Sequence, residues 1–265
     1  MSTSRDIIRQ ITVLVSAILG IVGVAIGSGA LGGTPTSEVA GGALSADATP
    51  IAPAGPAFSI WSVIYVGLIA YTIWQMLPKQ RADERQRRLG YPIAASLLLN
   101  AAWLLSTQAD LLALSVPIIV VLLAVLIWIF RICRAMPPRM VIEAIVVDGT
   151  MGLYLGWVSI ATAANIAAVL TASGFTGFGI SQDIWAVLVL AVAGAVGVLI
   201  AIYGSGRFAP TVALCWGLAW VVVGRLTGDL ISVPAAVTAV VAIVAVVGVT
   251  VIRRAGVRAS AMARV

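Results

Sequence analysis

Residues 153–165 read LYLGWVSIATAAN, and in this stretch Tyr154, Trp157, Ala161 and Asn165 fall at i, i+3, i+7 and i+11, which is one stripe of an α-helix. The remaining faces are small or aliphatic. Gly152 and Gly156 form a GxxxG pair that admits a second helix backbone to backbone. In hydrocarbon a Tyr hydroxyl, a Trp N–H and an Asn amide each need a partner, because an unpaired polar group there costs on the order of several kcal/mol. The stripe is therefore expected to face protein, water or ligand, and to form one wall of a pocket inside a membrane.

The rest of the chain supplies the membrane setting. Hydrophobic residues make up 61% and charged residues 10%, with a mean hydropathy of +1.11, whereas a water-soluble domain carries roughly a quarter charged residues. A span needs about 20 mostly apolar residues, and eight segments qualify: 7–27, 57–77, 91–108, 111–131, 141–170, 184–203, 208–225 and 231–252. The fold class expected is an all-α polytopic membrane protein with about eight transmembrane helices.

Charge sets the expected orientation. With both termini in the cytoplasm, every one of the 16 basic residues except Arg225 falls on the inner side, as the positive-inside rule requires. The net charge of +6 then reflects topology and contact with anionic inner-leaflet lipids, and no nucleic-acid partner is expected. The protein is placed in the cell membrane.

Histidine is absent, which removes the commonest metal ligand and the usual general base. No metal, no cofactor and no conventional catalytic residue is expected. The single lysine, Lys79, lies in an inner loop, so a retinal Schiff base on a helix is excluded. Cys133 and Cys215 suit neither an extracellular disulfide nor a CxxC site.

Along the chain, residues 28–56 are rich in Gly, Ala, Ser, Thr and Pro without Lys or Arg, a long outer loop that reads as either linker or lid. The second helix carries Trp61 and Tyr65 at i and i+4; Trp74, Trp128 and Trp185 read as interfacial belt residues. Residues 79–88, KQRADERQRR, read as a solvated charge run. The third helix holds Asn100, Trp103 and Thr107 on one stripe, either interhelical glue or pocket wall. Glu143 fits the inner interface, but Asp148 lies deeper, where a charge costs roughly 2.5–3.5 kcal/mol. Both are candidates for proton coupling, against the plainer reading of a paired or protonated carboxylate. Arg225 and Asp229, at i and i+4, can pair if their helix continues. Measured from the outer boundaries, Trp61, Tyr65, Asn100, Trp103, Trp157 and Asn165 fall in the outer half of the bilayer, and Tyr154 near its midplane.

Three blocks, PAFSIWSVIY with Pro56, Phe58, Trp61 and Tyr65, LLLNAAW with Asn100 and Trp103, and YLGWVSIATAAN with Tyr154, Trp157, Ser159, Ala161, Thr162 and Asn165, together resemble the TspO/MBR family, the tryptophan-rich sensory or translocator proteins. The wording looks most like longer bacterial members with about eight helices. The resemblance implies a TspO-like five-helix domain over 1–170, with three additional helices and a basic cytoplasmic tail over 171–265. It also implies a pocket among helices one, two and five, closed by the first loop, that accepts porphyrins and other flat apolar ligands. Carried over by position, its ligand-binding candidates are Trp61, Tyr65, Asn100, Trp103, Tyr154, Trp157 and Asn165. The sequence departs from the family in the first loop, which lacks the usual Trp-Tyr and Lys-Pro residues, and at the end of helix five, which lacks the Tyr and Arg of the sterol-recognition stretch. No specific sterol binding is expected.

The leading functional expectation is a membrane ligand-binding protein of sensor or regulator type. The alternatives are a secondary transporter or permease that uses Asp148, a porphyrin-modifying enzyme that uses Trp and Tyr as redox groups, and a purely structural role. Membrane lipids are the expected surroundings, and the GxxxG faces permit a homodimer.

Overall fold

The computed structural model describes residues 3–29, 34 and 38–262, and among these residues every regular element is helical. Eight helices are long and apolar enough to cross a membrane, as the sequence predicts. They are α1 (Ser4–Gly27), α2 (Ile60–Met76), α3 (Glu84–Gln108), α4 (Leu112–Ala135), α5 (Thr150–Ala172), α6 (Gln182–Tyr203), α7 (Phe208–Thr227) and α8 (Val233–Met262). Helix α3 starts well before its apolar stretch. Asp83 caps it, its Oδ1 accepting from Gln86 N at 3.0 Å, so the charged residues that follow belong to the first turns of the helix.

The chain divides into two compact units: residues 1–41 with 61–151, and residues 42–60 with 152–265.

In the first unit α1 packs along α3. Gly23 and Gly27 make this possible, because a Cβ at Gly23 would lie 2.7 Å from Ala101 Cβ and one at Gly27 would lie 2.7 Å from Leu104 Cβ. Small residues let the backbones close where apolar burial alone gives lipid-immersed helices no reason to meet. The opposite end of α1 is polar and buried. Arg87 Nε donates to Asp6 Oδ1 at 2.7 Å, Gln10 Nε2 donates to Gln75 O at 2.6 Å, and Arg9 Nη2 donates to Gln80 O at 3.2 Å. The run from Lys79 to Arg88 is thus not a solvated face throughout: Gln80, Arg85 and Gln86 are buried, and the run anchors its neighbours. Helix α4 buries Ile119, Leu122, Leu126, Ile129 and Cys133, spaced by three and four, and leaves Trp128 exposed as a belt residue would be. Trp74, read from sequence as another belt residue, is only 6% exposed and belongs to the core.

The second unit is built on α5 to α8. Gly156 faces the start of α7 so closely that a Cβ would run into Pro210 O, and one at Gly152 would lie 2.7 Å from Ala209 Cβ. The GxxxG pair seen in the sequence is used inside the chain. Helix α8 packs against both α6 and α7; Thr211 and Thr250 share a hydrogen bond of 2.7 Å, and Ser232 Oγ donates to Asp183 Oδ1 at 2.5 Å. The segment from 42 to 54 is strapped to the end of α7. Ala54 N donates to Trp220 O at 3.0 Å, and Arg225 Nη2 donates to Ala46 O at 2.6 Å. Because α7 ends at Thr227, Arg225 has no helical route to Asp229; it meets Asp47 instead, at 3.5 Å. Residues 46–54 of the 28–56 loop therefore form a docked strap, while residues 30–33 and 35–37 lie outside the described residues.

Candidate functional site

Three groups of side chains carry the chemistry. The first is on α2 and α3. Trp61 and Tyr65, one turn apart, stack with ring centroids 5.2 Å apart and 15° between planes. Both rings are partly exposed, so the pair is an accessible flat platform. Asn100 of α3, 2% exposed, donates from Nδ2 to the Tyr65 hydroxyl at 3.1 Å, while its Oδ1 is buried and has no hydrogen-bond partner. A buried amide half-satisfied in this way is an exception that calls for an explanation. Trp103 sits one turn further along α3 and is buried. Thr107 and Ser106 donate to backbone carbonyls of their own helix, so the lower part of that stripe is satisfied locally.

The second group is on α5. Tyr154, Trp157 and Asn165 are all buried, which agrees with a stripe that avoids lipid. Phe58, from the short turn Gly55–Ser59, presents its ring to Trp157 at 5.7 Å and 79°, an edge-to-face pair. The backbone of this turn is held in turn by Trp216 of α7, whose Nε1 donates to Ala57 O at 2.9 Å. None of the three sequence blocks lies on α7, yet its tryptophans, with Trp216 and Trp220 themselves paired at 5.6 Å, fix the residue that meets Trp157.

The third group is an ion triad. Arg85 Nη1 lies 2.8 Å from Glu143 Oε1 and Nη2 lies 2.5 Å from Asp148 Oδ2, with all three side chains largely buried. Glu143 also accepts from Arg139 N at 2.9 Å. The carboxylates five residues apart share one guanidinium because residues Ala144–Gly149 form a π-helix. On a regular α-helix residues five apart sit about 140° round from one another, whereas π turns close i to i+5. The π turn brings Glu143 and Asp148 to the same side. Both acids are paired with Arg85 in this geometry. Arg85 itself was hidden in the charge run, and its pattern there gave no signal of burial.

A further cavity lies wholly in the second unit, a groove of about 570 Å³ between α5 and α6. Its walls run from Ser159 to Thr171 and from Gln182 to Val196, with Thr49, Pro50 and Ile51 at one side. Among the described residues no group of three or more His, Cys, Asp or Glu side chains is arranged to hold a metal ion.

A protein-family model described as TSPO-like protein matches residues 10–251, which takes in α6, α7 and most of α8 as well as the five helices that carried the sequence motifs. No curated protein and no solved structure matches the chain.

Proposed function

Because the chain belongs to the family of TSPO-like proteins and is an integral membrane protein of eight apolar helices, we propose that it is a ligand-binding protein of sensor or regulator type which receives a planar apolar molecule of the porphyrin kind. The observation that carries this reading is the Trp61–Tyr65 platform with the spare Oδ1 of Asn100 beside it. A flat conjugated ring stacks on such a platform at an offset, and a pyrrole N–H is the kind of donor that a buried amide oxygen accepts. Trp103 on α3 and, taken separately, Tyr154, Trp157 and Asn165 on α5 are the other ligand-binding residues proposed. No residue is assigned a catalytic role.

Titration of the detergent-purified protein with protoporphyrin, followed by intrinsic Trp fluorescence, tests the reading. Saturable quenching weakened at least tenfold in Asn100→Ala and in Trp61→Ala supports it; non-saturable quenching, or quenching indifferent to both changes, rejects it. The cytoplasmic placement of both termini in the cell membrane belongs to the same proposal and rests on the distribution of Lys and Arg. The competing transporter reading requires Asp148 to exchange protons. Its carboxylate is engaged in an ion pair with Arg85.

A further inference from the structure

The groove between α5 and α6 is independent of the Trp61 platform. Ser159 to Thr171 covers about 18 Å of helix at 1.5 Å per residue, close to the roughly 15 Å that one leaflet contributes to a hydrocarbon core of about 30 Å. The walls are aliphatic and small, with Ala163, Ala167 and Ile166 on α5 facing Val189, Val192 and Val196 on α6. Leu188 and Val192 are exposed on the outer surface of α6, so the groove opens sideways toward lipid. Among the described residues no charged side chain lines it.

Part of its polar lining is spent on the protein itself. Ser159 and Thr162 donate to Leu155 O and Val158 O of their own helix at 2.7 Å each, and Trp185 Nε1 donates to Gly177 O at 3.1 Å. Thr49 is different. It is 3% exposed, it lines the groove, and its Oγ1 has no hydrogen-bond partner. Leaving a buried hydroxyl unmatched costs about 1–3 kcal/mol, which a ligand acceptor would relieve. Thr49 belongs to the strap that joins Ala46 to Arg225 near the end of α7. That is the end of the bundle where the turns from α5 to α6 and from α7 to α8 lie, because Ser232 there bonds to Asp183 at the start of α6. Thr49 thus sits, with Thr171, Thr176 and Gln182, at the end where the interface begins, and the apolar walls run from it toward mid-membrane.

We infer that this groove holds one acyl chain of a membrane glycerolipid, with the chain along α5 and α6 and its ester carbonyl accepting a hydrogen bond from the Thr49 hydroxyl. The length of the walls fits a single-leaflet chain, the sideways opening fits entry from the bilayer, and the absence of charge means that the ester, not the headgroup, is what the site reads.

Native mass spectrometry of the full-length protein in mild detergent tests this, with dioleoylglycerol and dioleoylphosphatidylglycerol as probes. The wild type is expected to retain one molecule of either lipid. Thr49→Val should weaken retention several-fold, and Ala167→Trp, which fills the groove, should weaken it at least tenfold. Val192→Trp, at an exposed position on the facing wall, repeats the block with little risk to folding, and thermal midpoints identify any variant that fails to fold. Undiminished retention in both Trp variants, retention of the charged lipid alone, or no stoichiometric lipid at all would overturn the inference.

Discussion

Arg85 Nη2 lies 2.5 Å from Asp148 Oδ2, and the same guanidinium holds Glu143 with its other terminal nitrogen. Removing the cation leaves two buried carboxylates facing each other. Arg85→Ala should cost on the order of 3 kcal/mol, the lower end for breaking a buried ion pair, read as a fall in thermal midpoint in detergent. Arg85→Leu combined with Glu143→Gln and Asp148→Asn should regain most of that loss. If the triple variant is no more stable than Arg85→Ala, the triad is not a self-contained clamp.

The same triad separates regulator from transporter. On the ligand-binding reading, with Asp148 serving as a structural partner of Arg85, Asp148→Asn should leave any porphyrin uptake into proteoliposomes unchanged at every pH. A loss of pH-driven uptake in that variant would assign Asp148 the coupling role.

Asn100 is a place where glue and ligand contact can be told apart. As glue, an intramembrane amide is worth about 0.6 kcal/mol, so Asn100→Ala should barely move the melting point. As a ligand contact it should cost about tenfold in protoporphyrin affinity, equivalent to about 1.4 kcal/mol. Tyr65→Phe should reproduce part of that loss, since it deletes the hydroxyl to which Asn100 donates.

Close helix contact predicts a sharp contrast between glycines. Gly156→Ala should destabilise strongly, because its Cβ would meet the Pro210 carbonyl. Gly248→Ala, where nothing lies within 4 Å, should be neutral or slightly stabilising, as Ala is the better helix former by roughly 0.5–1 kcal/mol. Thermal melting of the two variants side by side checks both.

Orientation is open to labelling. In a background without Cys133 and Cys215, Phe178→Cys, at a site 84% exposed in the turn between α5 and α6, should react with an impermeant maleimide in intact cells. Lys79→Cys should react only after the cells are opened. The reverse pattern would invert the topology.

Much of the fold is legible in the chain because an apolar run of about 20 residues is a local signal. Eight such runs became eight helices, and the GxxxG pairs at Gly23 and Gly152 found neighbours as close as such pairs allow. What could not be read depends on partners far apart. Arg85 meets its acids 58 and 63 residues away, and a cation seen among eight other polar residues looks solvated. The π turn over Ala144–Gly149 has no composition of its own that distinguishes it from an α-helix. The strap from Ala46 to Ala54 docks through backbone groups, Ala46 O and Ala54 N, and a carbonyl or amide that every residue possesses leaves no trace in a sequence. The stripes of α3 and α5 were legible as buried faces, whereas the role of Trp216 in holding Ala57 was not, since nothing local links residues 159 positions apart.

The polar end of α1 has a consequence for biosynthesis. Asp6 accepts from Thr3 in its own first turn, but its ion pair with Arg87 and the partners of Arg9 and Gln10 lie among residues 75–87, so the first helix leaves the ribosome before these long-range contacts can form. At about 5–20 residues per second, roughly 4 to 16 seconds pass before the matching segment emerges. Until then the start of α1 is held at the headgroup layer by its own unsatisfied side chains, and the first helix cannot reach its final depth before the third has begun to enter the membrane.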